Sequence, residues 1–372
     1  MIVHLRRFLI VSLCSLSYGP QSFATKSRLE SLSQNKIGSF YLNDQRNIFL
    51  NPAHLSYKPG YTVFEWGNNG DASNADNMGS PKAEGGWFNR DEKSLYGIYL
   101  GNEDDRIISM RRLGNPDFLS PDNTIDIFYG QKSPGSSWGS SLHLSQNKSD
   151  TAGAIKKSET TMVLKGGFKD KKQQAFAHVI FLDQAKGQGT SENDKYQGNI
   201  GFTLGGSYNF AKHYKVYGTL DSRSAKFTPD GADGVKLAQQ IIQIGAVRSI
   251  KKKKEQPLQY FLDASLLRIS SEVGNATTTT TLMPFIIGAE SEVESWLKLR
   301  GSVSQAVLLN ESKIEPGGGA DSTTTSNPNT TNVSAGMSLV YNKVKIDGSF
   351  TTTGGQLNAG NLMSRVGMIF DF

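Results

Sequence analysis

The chain closes on Arg365–Phe372, RVGMIFDF. Read with the period of two that a β-strand imposes, Val366, Met368, Phe370 and Phe372 fall on one face, and Arg365, Gly367, Ile369 and Asp371 on the other. One face is apolar throughout; the other carries both charges. An exposed terminal aromatic has little use on a soluble sheet. It suits a strand whose outer face meets hydrocarbon and whose free edge is taken up by closing a barrel.

The order polar–x–Gly–x–x–apolar–x–aromatic at Arg365, Gly367, Phe370 and Phe372 resembles the assembly signal of bacterial outer-membrane β-barrels. The resemblance implies an outer-membrane location, surrounding lipid and a barrel-assembly machinery that reads this strand. The other end of the chain agrees. His4, Arg6 and Arg7 precede an apolar run, Phe8–Leu16, and then Ser22-Phe23-Ala24, which is the charged, apolar and small-x-small order of a cleaved secretory signal over residues 1–24. The apolar run is about nine residues, short of the roughly 20 that a membrane helix needs. Cys14, the single cysteine, lies inside it behind Leu13, which is not the small residue a lipidation site requires. Without a later apolar run of helical length, a membrane protein of this sequence must be a barrel, since only helices and closed barrels satisfy their backbone in lipid.

Between the ends, ribbons of alternating polarity are separated by tracts of Gly, Asn, Ser, Asp, Thr and Lys from Tyr61 onward. The pattern predicts 16 strands, from Tyr61–Gly67 to Arg365–Phe372. In Trp296–Leu309, Leu297, Leu299 and Val303 oppose Lys298, Arg300 and Ser302; in Val344–Thr353, Ile346 and Phe350 oppose Lys345, Asp347 and Ser349. In Tyr196–Phe210 one unbroken alternation places Tyr196 with Phe202 and Leu204. Charges at alternate positions cannot sit in a dry core and fit a wet lumen. Links alternate short and long, with Ala211–His213 and Asn342–Lys343 tight. Asn102–Asn123 is expected as one long outer excursion, and Asn310–Thr331, low in complexity, as an unstructured outer loop. The fold class is therefore all-β, a transmembrane antiparallel barrel of about 16 strands over residues 61–372, with 14 as the alternative.

Residues 25–60 do not read as barrel. Ser27–Ser33 suits a short helix, and Ile48-Phe49-Leu50-Asn51-Pro52-Ala53 resembles the N-terminal region of the FadL-type and PorV-like barrels. That resemblance implies that Asn51, Pro52 and Ala53 belong to a hatch folded back into the lumen, with 14 strands around it. The bland reading of Asn-Pro is a turn.

No HExxH, Cys/His spacing, phosphate loop or Gly-x-Ser-x-Gly occurs, so no catalytic residue, metal or cofactor is assigned and the chain is read as a non-enzyme. His143, Ser145 and Asn147, two apart on a polar strand face, are read as lumen lining rather than as the parts of a lipase. Lys251–Lys254 reads as a solvated turn. Net charge is +6, or +4 without Arg6 and Arg7, too little over a barrel of this size to imply a nucleic-acid partner. The candidate lumen residues are Lys165, Lys169, Lys215, Arg223, Lys298, Arg300, Lys345 and Arg365, with Asp126 and Asp347. They serve either a weak anion preference or pairing between strands. The leading expectation is a porin passing small hydrophilic solutes, with a homo-oligomer as a candidate assembly. The alternatives are a FadL-like transporter of hydrophobic compounds, and a barrel that conducts nothing and serves as a structural or surface-contact protein.

Overall fold

The computed structural model describes residues 25–57, 60–67, 82–91, 93–114, 117–150, 155–188, 191–252, 257–317, 322–326, 331–352 and 365–372. Residues 1–24, expected from the sequence to be a secretory signal, lie outside these. Sixteen antiparallel strands close into one barrel. They are β1 (Tyr61–Gly67), β2 (Lys82–Arg90), β3 (Ser94–Leu100), β4 (Thr124–Ser133), β5 (Ser136–Ser149), β6 (Lys157–Asp170), β7 (Gln173–Gln188) and β8, in two pieces (Ser191–Gly198 and Gly201–Ala211). Then follow β9 (Tyr214–Thr228), β10 (Val235–Lys252), β11 (Leu258–Val273), β12 (Ala276–Glu294), β13 (Leu297–Glu315), β14, also in two pieces (Thr323–Ser326 and Asn332–Tyr341), β15 (Val344–Thr352) and β16 (Arg365–Asp371). Each strand pairs with its neighbours in sequence. The seam joins β1 to β16 in the register Tyr61↔Asp371 to Gly67↔Arg365, so no edge is left open.

The alternation sorts the faces as the polarity dictates. On β16 Val366, Met368 and Phe370 look outward while buried Arg365 and Ile369 look inward; on β1 Phe64 and Trp66 are outside, Val63 and Glu65 inside. Mid-wall outward positions carry Leu204, Ile244 and Ile287, the last two 63% exposed to whatever surrounds the barrel. At the end where both termini of the barrel lie, Trp87, Tyr96, Tyr129, Trp138, Tyr208, Tyr260 and Phe372 form an outward aromatic belt, with Tyr129 and Trp138 rings 5.5 Å apart. An apolar flank with an aromatic girdle is what a barrel presents to a bilayer and its interface.

Two expectations about the strands need correction. β8 is interrupted at Asn199–Ile200, and the alternation changes phase across the break: Phe202 and Leu204 stay outside, but Tyr196 turns inward and its hydroxyl donates to Asp183 at 3.1 Å. β7 carries the matching irregularity beside β6, where the register shifts between Met162 and Val163. An extra residue in a strand swaps its faces, and polarity alone does not announce it. The tract 310–331 is also not a structureless loop among the described residues. β13 runs to Glu315, and Thr323–Ser326 pairs back onto Glu311–Ile314. Backbone pairing needs no apolar side chain, and Thr suits a strand.

The wall is uneven. β1 has 7 residues and β12 has 19, so at about 3.3 Å per residue the far side stands far taller than the seam. The long connection after β3 does not stand clear of the barrel; it holds helix α3, described below with the interior.

Candidate functional site

The interior is occupied. Residues 25–57 enter it as α1 (Lys26–Ser31), α2 (Asn47–Leu50) and a 3₁₀ turn (Pro52–Tyr57), with most side chains of residues 25–55 buried. α1 packs on β14–β16, and the 3₁₀ turn on β4–β6, so the segment crosses from one wall to another. Its apolar side chains Ile48, Phe49, Leu50 and Leu55 join Tyr61, Phe88, Tyr99 and Phe128 of the wall, and Leu32 and Leu42 join Val247 and Phe261.

Charge fixes the rest. Lys26 Nζ lies 2.6 Å from Glu84, and its backbone N–H donates to Glu65 at 2.6 Å. Arg28 donates through Nε to Glu290 at 2.6 Å and through Nη1 to Asp44 at 3.1 Å. Arg46 sits 3.5 Å from both Glu65 and Glu84, donates to the Tyr99 hydroxyl and to Asn102 Oδ1, and lies over the Phe49 ring. These are buried pairs, for which desolvation is offset only by near-complete hydrogen bonding.

The motif Asn51-Pro52-Ala53 has a bed prepared for it. Asn51 Nδ2 donates to the carbonyls of Phe168 and Ala175, and Asn51 Oδ1 accepts the Ala53 N–H at 3.0 Å. The Ser137 hydroxyl donates to the Ala53 carbonyl at 3.0 Å. Gly139 and Gly167 face each other across β5 and β6, and a Cβ on either would strike Pro52 backbone or the Asn51 side chain. Two inward glycines on paired strands were the available sequence signal, and periodicity passes over them because they carry no polarity. Gly139→Val is expected to lift residues 51–53 from the wall at a cost of about 1–3 kcal/mol, since overpacked sites cost that much. Limited proteolysis should then cut within 25–57 while the barrel resists.

Helix α3 (Asp105–Gly114) is the second inner element. Ile107 packs on Val163 and Ile180, and Met110 with Phe118 on Tyr196, Ala225 and Leu237. Arg111 donates to Asp183, Glu159 and Thr161 at 2.6–3.0 Å, and Arg106 is bound to Asp104 at 2.5 Å. Burial by itself would raise the Asp104 carboxyl, but Arg106 and Lys165 beside it hold it well below the usual carboxylate range. The apolar residues of Ile107–Arg112 and its arginines were the visible signal; that the connection folds inward was not.

Each candidate lumen residue has a definite place. Lys165 lies 3.7 Å from Asp104, Arg223 2.8 Å from Asp221, Lys298 3.0 Å from Glu292 and Arg365 3.2 Å from Glu30. Asp347 gathers Arg300 at 2.8 Å, Lys345 at 3.2 Å and the Thr25 hydroxyl at 3.2 Å. Lys169 Nζ is 3.1 Å from His54 Nδ1, and Lys215 donates to the Phe40 carbonyl at 2.5 Å. Asp126 meets His143 at 3.1 Å, Ser145 donates to Glu159, and Asn147 to the Ser120 carbonyl, so His143, Ser145 and Asn147 serve separate partners. Lys251 and Lys252 end β10 exposed; the rest of that run lies outside the described residues. Glu65, Glu84, Glu290, Asp104, Arg106 and Arg111 were not among the sequence candidates.

One inward patch is not packed. Pleat parity on β10 and β11 carries Ile241, Leu267 and Ile269 to the same side as buried Gln239 and Asp263; the register joins Ile241 to Ile269 and Leu267 to Leu282. All four are half-buried. They form an apolar area on the tall wall, beside α3, whose Ser109 hydroxyl donates to Gln239 at 3.3 Å.

Fold and interior together define a closed, membrane-type β-barrel with a filled lumen. No protein-family profile and no curated sequence matches the chain. Among solved structures it is similar to a Pseudomonas aeruginosa FadL homologue (TM-score 0.41, 12% identity, covering 94% of this chain and 98% of that one). It is also similar to the Pseudomonas putida toluene transporter TodX (TM-score 0.37, 11% identity, 94% and 96%). A bacterial polysaccharide outer-membrane secretin scores alike (TM-score 0.43, 8% identity, 84% and 97%). Likenesses this distant do not separate one kind of barrel from another.

Proposed function

We propose that this protein is an outer-membrane channel for small apolar or amphipathic molecules, exported on residues 1–24 and inserted through the signal Arg365, Gly367, Phe370 and Phe372. Residues 25–57 act as the hatch, and α3 narrows the opposite half. The observation that supports this reading is the interior itself: a buried, ion-paired segment crosses it, and the inward area left half-open is Ile241, Leu267, Ile269 and Leu282. A passive porin needs a continuous water path, which a segment tied by Arg28 and Arg46 obstructs. The FadL-like reading therefore takes precedence over hydrophilic diffusion. Most of the candidate lumen charges then work as struts, matching wall to hatch or strand to strand.

The test is a pair of measurements on the full chain. In planar bilayers it should show no open steps. In vesicles it should speed entry of an apolar fluorescent probe, and Ile241→Asp with Leu267→Asp should remove most of that gain. Open ion steps from the full chain would restore the porin reading; silence with no probe entry would leave a structural barrel.

A further inference from the structure

We infer that the terminal-end mouth of the barrel holds a binding site for a small anion, a carboxylate or a phosphate, between residues 40–43 of the inner segment and the ends of β6–β9. A cavity of about 380 Å³ opens there. Its lining brings together Lys169, Lys171, Lys172 and Lys215 against a single carboxylate, Asp170.

The contrast with the rest of the interior carries the argument. Elsewhere the inward cations meet carboxylates: Arg28 with Glu290, Arg111 with Asp183, Arg223 with Asp221, Lys298 with Glu292, Arg300 with Asp347 and Arg365 with Glu30. Among the described residues no carboxylate lies within ion-pair distance of Lys171, Lys172 or Lys215. Lys215, half-buried, donates instead to the Phe40 carbonyl, a neutral oxygen. Asp170 is their one acidic neighbour; it feels the Lys172 charge only beyond ion-pair distance, and one of its oxygens accepts the backbone N–H groups of Lys172 and Gln173 at 2.7 and 2.8 Å.

The neighbours are oriented as well. Lys169 Nζ donates to His54 Nδ1, which leaves His54 Nε2 to donate to Gln174 Oε1 at 2.6 Å, while Gln174 Nε2 donates to Ser207 at 3.0 Å. These contacts keep the Lys169 head at the cavity wall. A concave site lined by one sign of charge concentrates the opposite ion. Phe40, Tyr41 and Leu42 give the same cavity an apolar side, so an organic anion with a short carbon chain fits both parts. The site is independent of what crosses the barrel, and its failure would leave that reading standing.

The test is calorimetry on the full barrel in a nonionic detergent, titrated with inorganic phosphate, with butyrate and with butanol. The expected result is saturable one-to-one binding of at least one anion and none of butanol. Lys215→Gln should weaken it by about tenfold, as loss of a charge-assisted bond does, and Lys215→Arg should retain it. Lys171→Gln with Lys172→Gln should weaken it less. Unfolding temperatures are compared so that a misfolded variant is not scored. In nanodiscs, loss of binding in phosphatidylglycerol but not phosphatidylcholine would assign the anion to a lipid headgroup; equal binding in both would assign it to a free ion. Absence of binding at millimolar concentrations, or unchanged binding by Lys215→Gln, would overturn the site.

Discussion

A chain lacking residues 25–55 is expected to conduct ions in planar bilayers where the full chain is silent. A 16-stranded barrel is wide enough for water once the segment that crosses it is gone, even with α3 left against one wall. The deletion removes the backbone that crosses from β14–β16 to β4–β6, and with it Lys26, Arg28 and Arg46. Glu65 and Glu84 then lose the ion-pair cations that met them and face the new water path, while Glu290 loses Arg28 and keeps Arg300 at 3.3 Å. Carboxylates lining a pore favour cations. Single-channel steps should therefore appear with a reversal potential, under a KCl gradient, on the cation side. If the shortened chain folds yet stays closed, residues 25–57 are not what blocks the lumen.

The second large effect is at Arg46. Its side chain is 2% exposed, and its guanidinium reaches Glu65, Glu84, Tyr99, Asn102 and the Lys36 carbonyl. Arg46→Met leaves two buried carboxylates short of one cation, with Lys26 and the more distant Arg365 as the charges that remain near them. Removing one member of a buried network costs about 3–5 kcal/mol, mostly the penalty on the charge left behind. The inner segment should loosen, seen as faster hydrogen exchange over residues 25–57 and as new protease cuts there, with β10–β13 unaffected. Arg46→Lys keeps the charge but not the planar fork and should fall between. Adding Glu65→Gln to Arg46→Met should recover part of the loss, because the stranded charge goes with it. If Arg46→Met is as protected as the parent, the network does not anchor the segment.

How much was legible beforehand follows from the range of each signal. The strand ribbons from Tyr61–Gly67 to Arg365–Phe372 stand where alternation placed them, because the contrast between hydrocarbon outside and polar groups inside is written at every second residue. The same rule failed at Tyr196, where a strand irregularity costs one residue of phase and leaves composition unchanged. It also said nothing of the Thr-rich tract that extends β13 and β14, whose pairing is carried by backbone.

The sequence by itself therefore determined a closed antiparallel barrel of about 16 strands and most of its inner and outer faces, all consequences of local periodicity; the structure decided 16 over 14. Only the tertiary structure decided what fills it. Glu290 meets Arg28 across 262 positions of chain and Glu30 meets Arg365 across 335, and no local pattern encodes such pairings. The inward fold of α3, the glycine bed under Asn51-Pro52-Ala53 and the lysines gathered at one mouth are likewise products of closure, which sets side by side residues whose separation in sequence carries no information about their charge.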